Sequence, residues 1–145
     1  MKRTTAVVIT ILLGLMAACI VPNLRTAVGR SKQKRTMNDI RSIATAWETR
    51  ATEVNNYDVT PRRSPAMTSI ALRDIRRALV PTYIKEVSPR DSWGHPFQFA
   101  TNGQHYFIRS SGADLRFDHN VGPTTSFDSD IVFSDGALLE YPEGV

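Results

Sequence analysis

From Asn23 to Val54 the chain has no proline, and Gly29 is its only glycine. Within that stretch Met37, Ile40, Ala44, Trp47, Ala51 and Val54 recur at spacings of three and four, with Ile43 beside them. Such spacing places apolar side chains on one stripe of a helix with about 3.6 residues per turn. The remaining positions are mostly Asn, Asp, Arg, Thr, Ser and Glu, so the opposite face is wet. A stripe of this kind must pack on something, and a chain of 145 residues has room for one domain and one core. Trp47 is expected to be the core anchor of the stripe. Beyond Trp93 the period changes to two, in the short runs "PFQFA", "HYFIRS", "DIVFSD" and "ALLEYP". Asn-Gly within "TNGQ" and Asp-Gly within "SDG" mark two hairpins. The expected fold is α+β: a long N-terminal helix from about Thr4 to Val54, membrane-embedded at its start, packed on a small antiparallel sheet of four strands.

Between helix and sheet, "NNYDVTPRRSPAMTS" is a loop broken by Pro61 and Pro65. "SIALRDIRRALVP" follows, and its Ile70, Leu72, Ile75 and Leu79 predict a short helix near residues 69–79. Thr68 or Ser69 would cap it and Pro81 would stop it. The sheet region is 95–145. The two hairpins are separated by "SGADLRFDHNVGPTTSFDS", a loop too long to be ordered without a physical cause.

The opening, "MKRTTAVVITILLGLMAACIVPNLR", sets Lys2 and Arg3 before an uncharged run from Thr4 to Leu24. Its strongly apolar part, Ala6 to Val21, is short. The whole uncharged run reaches the roughly 20 residues that a bilayer requires. Residues 1–24 therefore read as a signal or membrane anchor, and residues 25–145 as a periplasmic domain with a helical stem over 25–55. Three fates stay open: "MAAC" as a lipobox with Cys19 lipidated, an uncleaved helix continuing through Pro22, or ordinary signal cleavage. Each places the remainder outside the cytoplasmic membrane. The expected location is the bacterial inner membrane, with one N-terminal anchor and the C-terminal domain in the periplasm. A single cysteine rules out an internal disulfide framework.

The net charge of +4 is unevenly spread. Arg25, Arg30, Lys32, Lys34, Arg35 and Arg41 face only Asp39, whereas Asp114, Asp118, Asp128, Asp130, Asp135, Glu140 and Glu143 face only Arg116. Two solvated surfaces, head-to-tail assembly, anionic lipid at the basic stretch, and a cation at the acidic one all fit this pattern. No H-E-x-x-H, G-x-S-x-G or phosphate loop is present, and His95, His105 and His119 are scattered. Neither an enzyme nor a small-molecule substrate is expected. Nucleic acid is not an expected partner either, because no aromatics interleave with the bases.

The plan of a long helix followed by a loop and a small sheet resembles that of type IV pilins and their secretion relatives, the pseudopilins. "LMAACIVPNL", with its helix proline Pro22, resembles the family's "ILAAIAIPNL". "KQKRTMNDIRSIATAWETRATEVNNYD" is similar to the outer half of the long helix in the major pseudopilin (protein G) of type II secretion. "LVPTYIKEVSPRDSWGHPFQFA" matches "Y-I-x-x-x-P-x-D-x-W-G-x-P-x-x-Y", and "YFIRSSGAD" matches "Y-x-x-x-S-x-G-A-D". By this resemblance "DSWGHPF" is the corner where the chain enters its first strand. Trp93 covers the core edge, Gly94 relieves the turn, Pro96 starts the strand, and Phe97 and Phe99 share a face. The family's leader and "G-F-T-L-I-E" motif have no counterpart, and Thr5 stands where its glutamate would. That departure bears on processing and polymerisation.

The resemblance also implies a calcium ion in the loop after "GAD". Asp114 and Asp130 fall on the motif positions, Asp118 and Asp128 match more loosely, and Ser110, Ser111 and Asn120 offer further oxygens. Acids on solvated turns account for the same residues. The implied function is that of a non-catalytic structural subunit, forming homo-oligomers or a pseudopilus with other pseudopilins. The alternative is a stand-alone periplasmic membrane lipoprotein on the same scaffold that does not polymerise.

Overall fold

The structure is a computed structural model that describes residues 2–60, 65–118 and 120–143. It divides into two compact units, Met1–Ser31 and Lys32–Val145. Helix α1, Lys2–Val54, contributes to both.

In the first unit the described apolar side chains Val7, Val8, Ile9, Ile11, Leu12, Met16, Val21, Leu24 and Val28 are exposed. Pro22 lies inside the helix, and the Thr26 hydroxyl donates to the Pro22 carbonyl one turn back. Among the described residues no helix is long and apolar enough to cross a membrane. This overturns both the membrane-embedded start and the placement as an inner-membrane protein with a periplasmic domain. The physical reason is the shortness of the strongly apolar run. Ala6 to Val21 falls below the roughly 20 apolar residues that a hydrocarbon core demands, and the polar Thr10 interrupts it.

In the second unit α1 buries Met37, Ile40, Ile43, Ala44, Ala46, Trp47 and Ala51, while Val54, at the end of the stripe, is exposed. On the wet face the hydroxyls of Ser42, Thr45, Thr49 and Thr52 each donate to the carbonyl four residues earlier. That bonding satisfies the hydroxyls on the helix's own backbone.

Three-residue strand β1 (Thr68–Ile70) precedes α2 (Leu72–Leu79), which buries Ile75 and Leu79. Thr68 and Ser69 therefore belong to a strand and do not cap the helix. Ala71 holds the cap position without a side-chain bond, and its carbonyl accepts from the N–H groups of Asp74 and Ile75. Ile70 pairs with Phe99, which removes it from the helix pattern. Strands β2 (Gln98–Thr101), β3 (Tyr106–Ser110), β4 (Gly122–Thr124), β5 (Ile131–Ser134) and β6 (Ala137–Pro142) follow.

The sheet has six strands in the order β1-β2-β3-β5-β6-β4. Its pairs are antiparallel except β4 with β6, which is parallel, so the sheet is mixed and the purely antiparallel expectation is corrected. The physical cause is the loop after β3: it returns its own strand to the free edge of β6. Both hairpins form. Asn102 Oδ1 accepts from the N–H groups of Gln104 and His105 between β2 and β3. Asp135 and Gly136, with φ of 48° and 86°, make the two-residue turn between β5 and β6. Pro61 lies outside the described residues.

The core joins the helix stripe to Ile75, Leu79, Val87, Phe97, Phe99, Tyr106, Ile108, Ile131 and Phe133. Trp47 is 0% exposed. Its ring lies 4.9 Å from that of Tyr106 and 6.4 Å from that of Phe99, and its indole N–H donates to the Tyr57 carbonyl at 3.0 Å. The Tyr106 hydroxyl donates to Glu48, and burial pushes this phenol well above its ordinary range. Replacing Trp47 by alanine empties the centre of this cluster and orphans the Tyr57 carbonyl. Trp47→Ala should destabilise the full chain by about 3–5 kcal/mol in chemical denaturation, and a loss below about 1 kcal/mol would contradict this packing.

Candidate functional site

The acidic segment between β3 and β5 is the part of the chain with the densest polar chemistry. Along β3, buried Tyr106, Ile108 and Ser110 alternate with half-buried Phe107 and Arg109, and β5 repeats the pattern with Val132 and Ser134 half-buried. Alternation at period two puts Arg109 and Val132 on the face away from the helix. The acidic segment lies against that face. Phe107, Arg109, Asp118, Asn120, Val121, Val132, Ser134 and Leu139 line a groove of about 280 Å³ there.

The segment closes on its own backbone. Gly112, at φ 63°, approaches so near that a Cβ would sit 2.5 Å from the Ser129 carbonyl oxygen and 2.6 Å from that of Asp128. The Ala113 N–H donates to the Phe127 carbonyl at 2.9 Å. Farther round, Thr124 and Ser129 share a hydroxyl bond of 2.8 Å, and the Glu143 N–H donates to the Thr124 carbonyl at 2.7 Å beside β4. Gln33, buried on α1, donates to the Ser126 carbonyl at 3.1 Å. The helix turn at Gln33 and the acidic segment thus adjoin one another, although the sequence sets them far apart.

Asp130 is fully buried and ion-paired with Arg109, whose guanidinium also donates to the Asp118 carbonyl and lies 4.8 Å from the centre of the Phe117 ring. The Asp118 N–H donates to Asp130 Oδ2 at 3.0 Å. Glu140 on β6 is 1% exposed. Asp130 Oδ1 and both Glu140 carboxyl oxygens are buried without a hydrogen-bond partner. Burial pushes the Asp130 carboxyl up against the lowering influence of Arg109. Burial likewise raises Glu140, and the charges of Asp130 and Asp118 add to the rise. The Arg109 charge and the nearby Asp130 backbone N–H pull it down, yet neither Glu140 oxygen completes a hydrogen bond.

The expected site residues are dispersed. Asp114 is exposed, its Oδ1 accepting from the Arg116 N–H at 2.8 Å, and Asp128 is exposed as well. Only Asp118 and Asp130 share a neighbourhood, through Arg109. Among the described residues no three His, Cys, Asp or Glu side chains group as metal ligands. Ser110 donates to Asp91 Oδ2 at 2.7 Å, and Asn120 is exposed. Cys19 lies on α1 but its side chain falls outside the described residues, as does His119. His105 pairs with Asp135 at 3.0 Å.

Sequence reasoning missed three residues: Arg109, Glu140 and Asp91. Asp91 Oδ1 accepts from the N–H groups of Trp93 and His95 at 2.9 and 2.8 Å, and this folds the aromatic corner around Gly94 at φ 96°. Trp93 is half-buried against the core, while Phe97 and Phe99 are buried. His95 Nδ1 lies 2.9 Å from the Gly112 carbonyl, an oxygen that only accepts. That nitrogen therefore carries the proton and is no base toward Ser111, 3.5 Å away. The Asp in "SPRDSWG" was the available clue to Asp91, since an aspartate at the start of a turn commonly bonds the backbone N–H two residues on.

A helix stripe closed under a small mixed sheet, with a self-bonded acidic loop on the sheet's far face, defines a pilin-like structural domain. The comparisons specify which. The family model for type II secretion system (T2SS), protein G matches residues 23–130, and the chain belongs to that family. It is 29% identical over 99 residues to the type II secretion system core protein G of Aeromonas hydrophila, covering 67% of this chain and 68% of that one. Against the core protein G of Pectobacterium carotovorum subsp. carotovorum it is 27% identical over 100 residues, 68% of this chain and 64% of the relative. Against that of Klebsiella michiganensis it is 26% identical over 111 residues, 74% and 78% respectively. No solved structure matches. Family membership makes the chain a pseudopilin-like structural subunit and not an enzyme.

Gly112 tests the closure of the loop. In Gly112→Ala the new Cβ meets two backbone carbonyls in a left-handed conformation, so stability should fall by at least about 1 kcal/mol. Thermal unfolding of the full chain checks this, and an unchanged melting temperature would show that the loop closes elsewhere.

Proposed function

We propose that this chain acts as a building block of a type II secretion assembly, packing with further copies of itself and with other pseudopilins. The observation that supports it is the family match through residues 23–130, which spans the helix stripe, the corner and the acidic loop. The relatives carry the name of a core protein of that system, and the role comes to this chain from them. The architecture suits the role. The polar interactions of the acidic segment are spent on holding the segment itself, while Lys34, Arg35, Asp114 and Asp128 remain exposed for contacts between subunits.

Those exposed charges suggest contacts that salt weakens. Tagged full-length chain, expressed beside the other pseudopilins of its own genome, should co-purify with at least one of them and cross-link to itself. Deleting it should block export of the substrates of that system. A chain that stays monomeric, captures none of them and leaves export intact when deleted would refute the proposal.

A further inference from the structure

We propose that Arg109 is the resident counter-ion of the acidic loop, so that residues 111–129 take up their fold without a metal ion. The family resemblance gives that task to calcium. A hard cation needs six to eight oxygens drawn from carboxylates and carbonyls. In this chain the Asp118 carbonyl and the Asp130 carboxylate, which would serve such an ion, both accept from the Arg109 guanidinium. A cation placed against them would stand beside a positive charge that is only 14% exposed and so poorly screened.

The other expected ligands are engaged differently. Asp114 ties its own turn through the Arg116 N–H and is exposed, as is Asp128. The residues as placed do not fit a calcium cage. A planar guanidinium suits the place better: it donates in several directions at once and stacks on a ring, here Phe117 at 4.8 Å. Closure of the loop also comes from uncharged contacts, namely the Gly112 approach, the Ala113–Phe127 bond and the pairing of β4 with β6. In the "Y-x-x-x-S-x-G-A-D" pattern Arg109 fills the free position before Ser110. The family motif is therefore kept while the ion's task passes to a side chain. This inference concerns the loop alone and stands apart from how subunits assemble.

The test uses the full chain in millimolar calcium and in chelator, read by melting temperature and by trypsin cleavage at exposed Arg116. The wild type should give the same melting temperature and the same cleavage rate in both. Arg109→Gln should lower the melting temperature and speed cleavage at Arg116 by about tenfold or more, as local opening becomes easier. In an Asp130→Asn background the same change should have a much smaller effect, because the charge it answers has gone. If Arg109→Gln does not fold, the wild-type comparison in calcium and chelator decides by itself. Calcium-dependent melting or protection in the wild type would overturn the proposal. Loss of that dependence in Glu140→Gln would then move the ion to the unpartnered Glu140 oxygens. Equal effects of Arg109→Gln with and without Asp130 would overturn it as well.

Discussion

The structure depends on the seating of Trp47 between the helix and the sheet. A helix of this composition gains little from propensity alone, and strands of three to six residues gain little from their own ladders. Each becomes stable by covering the other's apolar face. Trp47 joins the two, with its ring on Tyr106 and Phe99 and its indole N–H on the carbonyl of Tyr57, where the chain leaves the helix. That one side chain fixes the rotation of α1, the start of the following loop and the inner face of β2 and β3. The outer strands then finish the sheet without extending it, since β1 and β4 are only three residues long and leave little edge for further pairing.

What could be read in the sequence follows from where physical signals are local. The helix stripe repeats over several turns, Asp-Gly sets its turn by the left-handed backbone of both residues, and Asn-Gly sets its turn through the Asn102 side-chain bonds and Gly103, so these elements were visible. Strands β1 and β4 were not. Neither is long enough to show alternation, and β4 is carried by Gly122 and Pro123, residues that ordinarily announce a turn. Proline is tolerated there because the strand lies on the edge. The presence of β4 removes the puzzle of an over-long loop. The membrane anchor was misjudged because an uncharged run was counted as though it were an apolar one.

The site was legible in outline only. Acids at "GAD" and "DSDI" marked the region, yet residue type does not reveal which carboxylates face inward. Asp130 is buried and Asp114 is not. Arg109 escaped notice because a lone arginine in a strand reads as a solvent-facing residue, and Glu140 because a glutamate in the last hairpin reads as solvated although it is buried. Charge separated along the sequence also says nothing of charge separated in space. Gln33 bonded to Ser126 brings its helix turn against the acidic segment. For a subunit whose work is packing, this economy is coherent: polar groups hold the loop in shape, and no cleft with an activated nucleophile is required.

The claim that helix and sheet form one cooperative unit through Trp47 is tested most directly by native-state hydrogen exchange on the full chain. The account predicts that amides of residues 37–51 of α1 exchange with the same opening free energy as those of β3 and β5, all at the level of global unfolding. If the helix amides exchange through a much cheaper opening while β3 and β5 stay protected, the sheet holds itself together without the helix and the account is wrong.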